Sequence, residues 1–161
     1  MTGHNTMTRR GLIGLSGAVL GLGAMGLPGL AAAAPSIHVV KDPNCGCCAA
    51  WIEVLERDGF EVSVELRDYD ALAAYKAEMG VTPELASCHT ATIEGYVIEG
   101  HVPPADIRRL LAERPAGVGL SVPGMPYGSP GMGPEDERDA YQVVLFDAAG
   151  KGVVYASYDA A

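Results

Sequence analysis

The 161-residue chain has little of what binding to nucleic acid requires. It carries eleven lysines and arginines against twenty acidic residues, and only 6% of its residues are aromatic. A net charge of −9 disfavours a surface that attracts phosphates, and one tryptophan with two phenylalanines offers few rings on which bases could stack. These shortages argue against nucleic acid as a partner.

Acidic residues are absent from the first 34 positions, and residues 11–34 carry no charge at all. This stretch follows Arg9 and Arg10, contains seven glycines, and ends in four alanines. A basic start, an apolar middle and small residues at the end make up an export signal, and the paired arginines resemble a twin-arginine signal. We therefore predict cleavage within Ala31–Ala34 and a periplasmic protein without stable membrane insertion. An uncleaved membrane anchor is the alternative, because the run is long enough to cross a bilayer.

The remaining residues, 35–161, keep nine basic and twenty acidic side chains and have a net charge of −11, in a length that suits one domain. Hydrophobic periodicity predicts the order strand, helix, strand, helix, strand, strand, helix. These elements span residues 37–41, 49–57, 60–66, 70–79, 90–94, 96–99 and 103–112. Because a strand–helix–strand start requires a parallel pair, the order predicts an α/β domain that resembles thioredoxin.

The C-terminal part is predicted to extend this domain. Residues 117–133 are rich in glycine, proline and methionine, which indicates a loop. Two extended runs, 141–146 and 152–158, flank an Asp-Ala-Ala-Gly turn. They predict a β-hairpin that is added after the thioredoxin-like elements.

Three of the four cysteines, Cys45, Cys47 and Cys48, crowd into the turn between the first strand and the first helix. Cys45 and Cys48 have the CxxC spacing of thioredoxins, and the N-terminus of a helix favours the thiolate form there. Cys47 stands where an ordinary thioredoxin has proline. A redox dithiol needs only two sulfurs, so the third indicates another use.

The fourth cysteine, Cys88, precedes His89 just before the third strand. In thioredoxins a cis-proline at this place packs against the dithiol. Here His89 takes the place of the proline, so a thiol and an imidazole are expected to face the CxCC turn. Four sulfurs would then converge from two loops at one end of the sheet, which predicts a metal site.

The donor atoms restrict the choice of metal. Thiolates favour Cu(I), zinc and iron–sulfur clusters over magnesium, calcium or manganese. A four-thiolate zinc site usually uses two separated CxxC pairs, whereas the sulfurs of a CxCC run are too crowded for that tetrahedron. Four thiolates around a single Cu(I) ion leave excess negative charge. Four thiolates around four Cu(I) ions form a neutral cluster, which is easier to bury. We therefore expect Cu(I), held in a multinuclear thiolate cluster.

Four further residues are candidate accessory ligands. Met125 and Met132 lie in the predicted loop, and their thioethers suit Cu(I), although either could equally fill a gap over the core. His89 lies next to Cys88. His101 is interpreted first as a turn residue before the third helix, with a role beside the metal as the alternative.

Four segments resemble the CopG-like copper-resistance proteins, a family long described as of unknown function: DPNCGCC at 42–48, SCHT at 87–90, EGHVP at 99–103 and VPGMP at 122–126. The resemblance covers most of residues 35–161. It implies a periplasmic thioredoxin-like domain, often encoded beside copper efflux and resistance systems, and it leaves copper redox interconversion open as an enzymatic activity. It also implies copper ligands at Cys45, Cys47, Cys48 and Cys88, with Met125 as an accessory.

Three functions fit these residues. The first is a periplasmic protein that binds Cu(I) for resistance, sequestration or delivery, with copper ions and a copper efflux or resistance system as partners. The second is a thiol–disulfide oxidoreductase that uses Cys45 and Cys48. The third is a non-catalytic domain in which Cys45–Cys88 or Cys47–Cys88 are structural disulfides. The CxCC run and the replaced proline favour the first function.

Overall fold

The computed structural model describes residues 1–3 and 33–161. The predicted export signal, residues 1–34, lies almost entirely outside the described residues, so its cleavage and the periplasmic location stay predictions. Residues 33–161 form a compact unit. Within the described part of the chain, no helix is long and apolar enough to cross a membrane.

Seven strands and three helices make up residues 33–161, with a short 3-10 turn at Glu135–Glu137 before the last two strands. In chain order they are β1 Ser36–Lys41, α1 Gly46–Arg57, β2 Glu61–Leu66, α2 Tyr69–Glu78, β3 His89–Ile93, β4 Tyr96–Glu99, α3 Pro104–Glu113, β5 Gly119–Ser121, β6 Tyr141–Phe146 and β7 Gly152–Tyr158.

The strands form one mixed sheet in the order β2-β1-β3-β4-β5-β6-β7. β1 and β2 are parallel, as the strand–helix–strand start requires, and β3 is antiparallel to both β1 and β4. This arrangement confirms the α/β fold and the predicted order of elements from β1 to α3. The two strands of the C-terminal hairpin, β6 and β7, also form where the alternation and the turn predict them.

The segment 117–133, predicted as a loop, contains the short strand β5. β5 is parallel to β4 and antiparallel to β6, so it joins the C-terminal hairpin to the rest of the sheet. A Cβ atom at Gly119 would lie 1.8 Å from the carbonyl oxygen of Val97, so only glycine lets the two backbones approach this closely. Three residues starting with glycine give no periodicity that could predict a strand.

The two faces of the sheet bury separate hydrophobic clusters. Ile98 belongs to the larger cluster, together with side chains of α1 and α3, and Val97 belongs to the smaller one. Neighbouring residues of a strand point to opposite faces, so these clusters lie on opposite sides of β4. Trp51 of α1 packs against His89 with a ring-centroid distance of 4.3 Å and an angle of 40° between the ring planes, which brings α1 against the start of β3.

Candidate metal centre

The first turn of α1 presents three cysteines. Cys45 is the N-cap residue, and its sulfur accepts a hydrogen bond from the backbone N–H of Cys48 at 3.3 Å. Cys48 is completely buried, whereas Cys45 and Cys47 are partly exposed. Cys45 and Cys48 are joined by a disulfide bond, and Cys47 is a free thiol.

The loop before β3 brings the fourth cysteine to this turn. Cys88 Sγ lies 3.8 Å from Cys47 Sγ, which in turn lies 3.6 Å from Cys45 Sγ. The four sulfur atoms are all within 4.8 Å of one another. The structure thus assembles the four predicted ligands in one place, although their binding of a metal stays a prediction.

The disulfide in the structure is not one of the pairs considered for a structural role, Cys45–Cys88 and Cys47–Cys88. It joins the two cysteines of the CxxC spacing, whose Cα atoms are 5.4 Å apart across the first helical turn. This separation is ordinary for a disulfide. The pairing is the one expected of an oxidoreductase, and it leaves Cys47 and Cys88 as the free thiols.

Cys88 is protonated at neutral pH in the metal-free protein. Burial, followed by the neighbouring Cys47, raises the pKa of the Cys88 thiol to about 12. A metal ion that binds this sulfur must therefore displace a proton.

A buried carboxylate holds the loop that carries Cys88. Glu99, at the end of β4, is completely buried and accepts hydrogen bonds from the backbone N–H of Ser87 at 2.6 Å, from Thr90 Oγ1 at 2.6 Å and from Lys76 Nζ at 2.5 Å. Ser87 and Thr90 flank residues 88–89 on either side. The Glu99 carboxylate therefore clamps the segment that presents Cys88 and His89.

Sequence reasoning missed this clamp, although a signal was available. Tyr96–Glu99 is an apolar strand that ends in a charged residue, and Glu99 opens the EGHVP motif. Burial raises the pKa of Glu99, while the Lys76 ammonium and the hydrogen bonds lower it. A charge at such a place needs a buried partner, and Lys76 on α2 supplies it.

His101 is more than the turn residue that the sequence suggested. Its ring is fully buried, with Nδ1 2.7 Å from the carbonyl oxygen of Pro130 and Nε2 3.1 Å from Cys88 Sγ. Burial lowers the pKa of His101. The residue follows a turn glycine, Gly100, but its side chain points inward to the sulfur cluster.

His89 lies where the sequence placed it, beside Cys88, and it packs against α1. Its ring is completely buried, packs at a tilt against Trp51 and meets His101 edge-on at a centroid distance of 5.1 Å. His89 Nδ1 is 3.3 Å from Cys88 Sγ. Burial lowers the pKa of His89 well below its ordinary value, and the neighbouring His101 adds to this effect.

The loop with the two candidate methionines packs against both halves of the site. Ser87 Oγ donates to the carbonyl oxygen of Gly124 at 2.5 Å, next to Met125. A Cβ atom at Gly131 would lie 2.6 Å from the backbone nitrogen of Trp51, so the segment before Met132 touches α1. The Met125 side chain is 56% exposed and that of Met132 is partly buried. Their role as ligands stays a prediction.

The fold and the site define a class: an α/β protein in which thiols and imidazoles cluster at one end of the sheet, a donor set for soft and borderline metal ions. Comparison with known proteins agrees with this. Residues 85–132 match the family model described as "Protein of unknown function, DUF411". No match was found among curated proteins.

Two solved structures are similar to this chain. Form 1 of the copper resistance protein CopG is 48% identical, with a TM-score of 0.72, and the match covers 78% of this chain and 98% of that chain. Form 2 is 46% identical, with a TM-score of 0.71 and the same coverage. The chain therefore belongs to the CopG family of copper resistance proteins. Its cysteine cluster fits a copper-binding role.

Proposed function

We propose that this protein binds Cu(I) in the periplasm and serves copper resistance by sequestering or delivering the ion. The ligands are Cys45, Cys47, Cys48 and Cys88. The convergence of their four sulfurs within 4.8 Å of one another, in a chain of the CopG family, carries the proposal. Thiolates suit Cu(I), and a copper efflux or resistance system is the expected partner.

The spacing of the sulfurs suits a metal ion held between neighbouring cysteines. Two sulfurs that each bond one metal ion at about 2.3 Å, with an angle near 110°, lie about 3.8 Å apart. The distances of Cys47 Sγ from Cys45 Sγ and from Cys88 Sγ, 3.6 Å and 3.8 Å, are close to this value. Cys47 is common to both pairs, so its sulfur is the one that would bridge two ions in the multinuclear cluster that charge balance favours.

Copper binding through all four sulfurs requires the disulfide to open. The Cys45–Cys48 bond takes up two electrons and two protons from a thiol reductant and yields two thiols. Cys45 is then stabilised as a thiolate by the N–H groups at the start of α1, where its sulfur already accepts from Cys48 N. The oxidation state of this pair therefore controls whether the chain offers two sulfurs or four.

An anaerobic Cu(I) titration of the reduced protein, with elemental analysis, tests the proposal. We expect more than one Cu(I) per chain, and a lower stoichiometry for Cys47→Ser and for Cys88→Ser. The oxidised wild-type protein is the control, and it should bind less Cu(I) because two of its sulfurs are in the disulfide. Zinc or iron in the purified protein, with no uptake of Cu(I) by the reduced form, would contradict the proposal.

The disulfide favours a second candidate function, thiol–disulfide exchange. A mostly apolar groove of about 550 Å³ between α2 and the loop before β3 is lined at one end by Cys45 and Cys88, so a partner thiol has access to this edge of the site. Reduction of insulin disulfides without metal tests this function. Cys47→Ser separates the two candidates, because it should preserve disulfide exchange and lower copper stoichiometry.

A further inference from the structure

The strand β2 forms one edge of the sheet, and among the described residues it pairs only with β1. The N–H group of Glu61 donates to the Pro35 carbonyl oxygen at 3.0 Å. At the other end of β2, the N–H group of Arg67 donates to the Lys41 carbonyl oxygen, also at 3.0 Å. Successive residues of a strand direct their backbone groups to alternate sides, so the even-numbered residues direct theirs to the outer edge. These residues are Val62, Val64 and Leu66.

The outer edge of β2 also carries exposed apolar side chains. Val64 is 47% exposed and Leu66 is 59% exposed. They share one face of the sheet with Val62, which packs against the larger hydrophobic cluster, whereas Glu61 and Glu65 point to the opposite face. An edge with free hydrogen-bonding groups beside an apolar row is a template on which another strand can add.

The opposite edge of the sheet, β7, is shielded from such an addition. Its pairing with β6 shifts register between Val143 and Val144, so that Tyr155 forms a bulge. The carbonyl oxygen of Tyr155 accepts a hydrogen bond from Arg109 Nη1 at 3.2 Å. Bulges and covering side chains are devices that keep other strands off an edge. Of the two edges, β2 is therefore the one open to pairing.

The sequence of β2 is complementary to a second copy of itself in the antiparallel orientation. When Val64 lies opposite Val64 of the second copy, Val62 lies opposite Leu66 of the second copy. Every residue that directs its backbone outward then meets another that does the same, and each such pair exchanges two hydrogen bonds. A two-fold axis passes between the two Val64 residues, so the contact uses the same surface twice and closes as a dimer.

The same register matches the charges on the other face. Glu61 lies opposite Arg67 of the second copy, and the symmetry makes this pair twice. Arg67 already bonds Glu65 of its own chain at 2.7 Å, but a guanidinium has enough N–H donors for both carboxylates. Sliding one copy by two residues sets Glu61 against Glu65 of the second copy, or the two Glu65 residues against each other. Like charges directly opposite are destabilising, so the charges select this register.

We propose that two copies of this chain associate through β2, in antiparallel register about Val64, and join their sheets into one. The strand has only six residues, so the contact is small and the dimer is weak and concentration-dependent. Lys41, which lies beside Leu66, leads into the CxCC turn. Because the two strands are antiparallel, the CxCC turns of the two copies lie at opposite ends of the shared edge. The dimer is therefore independent of metal binding.

Sedimentation velocity of the metal-free protein, from about 1 µM to about 1 mM, tests the inference. A reductant is present, so that a disulfide between Cys47 thiols of two copies is not counted. We expect a shift from monomer to dimer as the concentration rises. Val64→Lys should weaken association by about tenfold or more, because it sets two ammonium groups against each other at the axis.

Val154→Lys is the matched control, since Val154 is 56% exposed on β7, at the other edge of the sheet. It should leave association unchanged. Glu61→Arg should weaken association by about tenfold, although it lowers the net negative charge of the chain, because it faces Arg67 of the second copy. Asp139→Arg changes the net charge equally at an exposed position outside β2 and should not weaken association. Thermal melting verifies that all four variants fold.

Amide hydrogen exchange locates the contact. The N–H groups of Val62, Val64 and Leu66 should exchange more slowly at high concentration, whereas those of Ser63 and Glu65, which face β1, should be slow at every concentration.

Three outcomes overturn the inference: a wild-type protein that stays monomeric up to about 1 mM, an equal effect of Val64→Lys and Val154→Lys, or exchange at Val64 that does not change as the dimer forms. None of them bears on the proposed Cu(I) function, which the copper titration of the reduced protein tests separately.

Discussion

At the scale of single residues, Cys88 connects all the chemistry of the site. Its sulfur is 3.8 Å from the CxCC turn through Cys47, 3.3 Å from His89 and 3.1 Å from His101. The loop that carries it is fixed by the buried carboxylate of Glu99. Both the protonation of Cys88 and the integrity of the clamp can be tested separately.

Binding of Cu(I) by the reduced protein should release the proton of Cys88. Since the pKa of this thiol is raised to about 12, the thiol is protonated across the neutral range, and apparent Cu(I) affinity should rise about tenfold per pH unit for each thiol proton displaced. Competition with a Cu(I) chelator of known affinity, at several pH values, measures the slope. Cys88→Ser should lower the number of protons released per bound Cu(I) by one, so the slope of log affinity against pH should decrease by one. An unchanged slope would contradict the role of Cys88 as a ligand.

Glu99→Gln should destabilise the metal-free protein by about 3 to 5 kcal/mol, because it leaves the mostly buried Lys76 without its counter-charge. Urea unfolding measures the loss. The double variant Glu99→Gln with Lys76→Met should recover part of it. Glu113→Gln, which breaks an exposed pair with Arg109, is the control and should cost about 1 kcal/mol or less. An equal loss of unfolding free energy in Glu99→Gln and Glu113→Gln would contradict the proposed role of Glu99 in holding the Cys88 loop.

At the scale of elements, β5 decides how the C-terminal part meets the site. It pairs with β4 up to Ser121 and Glu99, and the next residue, Val122, donates its N–H to the Glu99 carbonyl at 3.0 Å. The chain then runs through the loop that supplies the Pro130 carbonyl to His101. The short strand therefore anchors a segment that supports a candidate ligand.

Gly119→Ala should break this anchor. The added Cβ would lie 1.8 Å from the backbone oxygen of Val97, which cannot move without disrupting β4, so we expect a loss of about 3 kcal/mol in unfolding free energy. Gly46→Ala is the matched control, since no atom lies within 4 Å of its Cβ position in α1. It should change stability by less than about 1 kcal/mol. Similar unfolding midpoints for the two variants would show that β4 and β5 can separate at little cost.

At the scale of the whole molecule, two buried neutral histidines make the metal-free fold sensitive to acid. The pKa values of His89 and His101 are lowered by burial, so the unfolded chain binds protons that the folded chain does not. Stability is therefore fully present above the ordinary histidine pKa of 6.5 and decreases as the pH falls below it. Each histidine contributes a slope of about 1.4 kcal/mol per pH unit.

Chemical unfolding of metal-free wild-type protein and of His101→Gln, at pH values from about 7.5 down to 5, measures this effect. The difference between the two unfolding free energies should shrink as the pH falls, because only the wild type retains the His101 contribution to the slope. The buried Glu99 has a raised pKa and so an opposite slope, but it is common to both proteins and cancels in the comparison. Parallel pH profiles would contradict a neutral buried His101.

Much of the fold could be predicted from local sequence patterns. Alternation over Glu61–Leu66, helical spacing after the CxCC run and the glycines that end the helices predict each element from β1 to α3. Gly119 and its two following residues carried no such pattern, because what makes them a strand is the close approach of β4.

For the site, the sequence by itself determined where the candidate donor residues stand: three cysteines on one helix turn and a fourth before β3, with His89 beside it, whereas His101 was interpreted first as a turn residue. It determined these because thiol spacing and the start of a helix are local properties. Only the tertiary structure decided which atoms face one another. The disulfide across α1, the buried Glu99 under the Cys88 loop and the Pro130 carbonyl that orients His101 all join residues brought together by packing, and no local pattern encodes those distances.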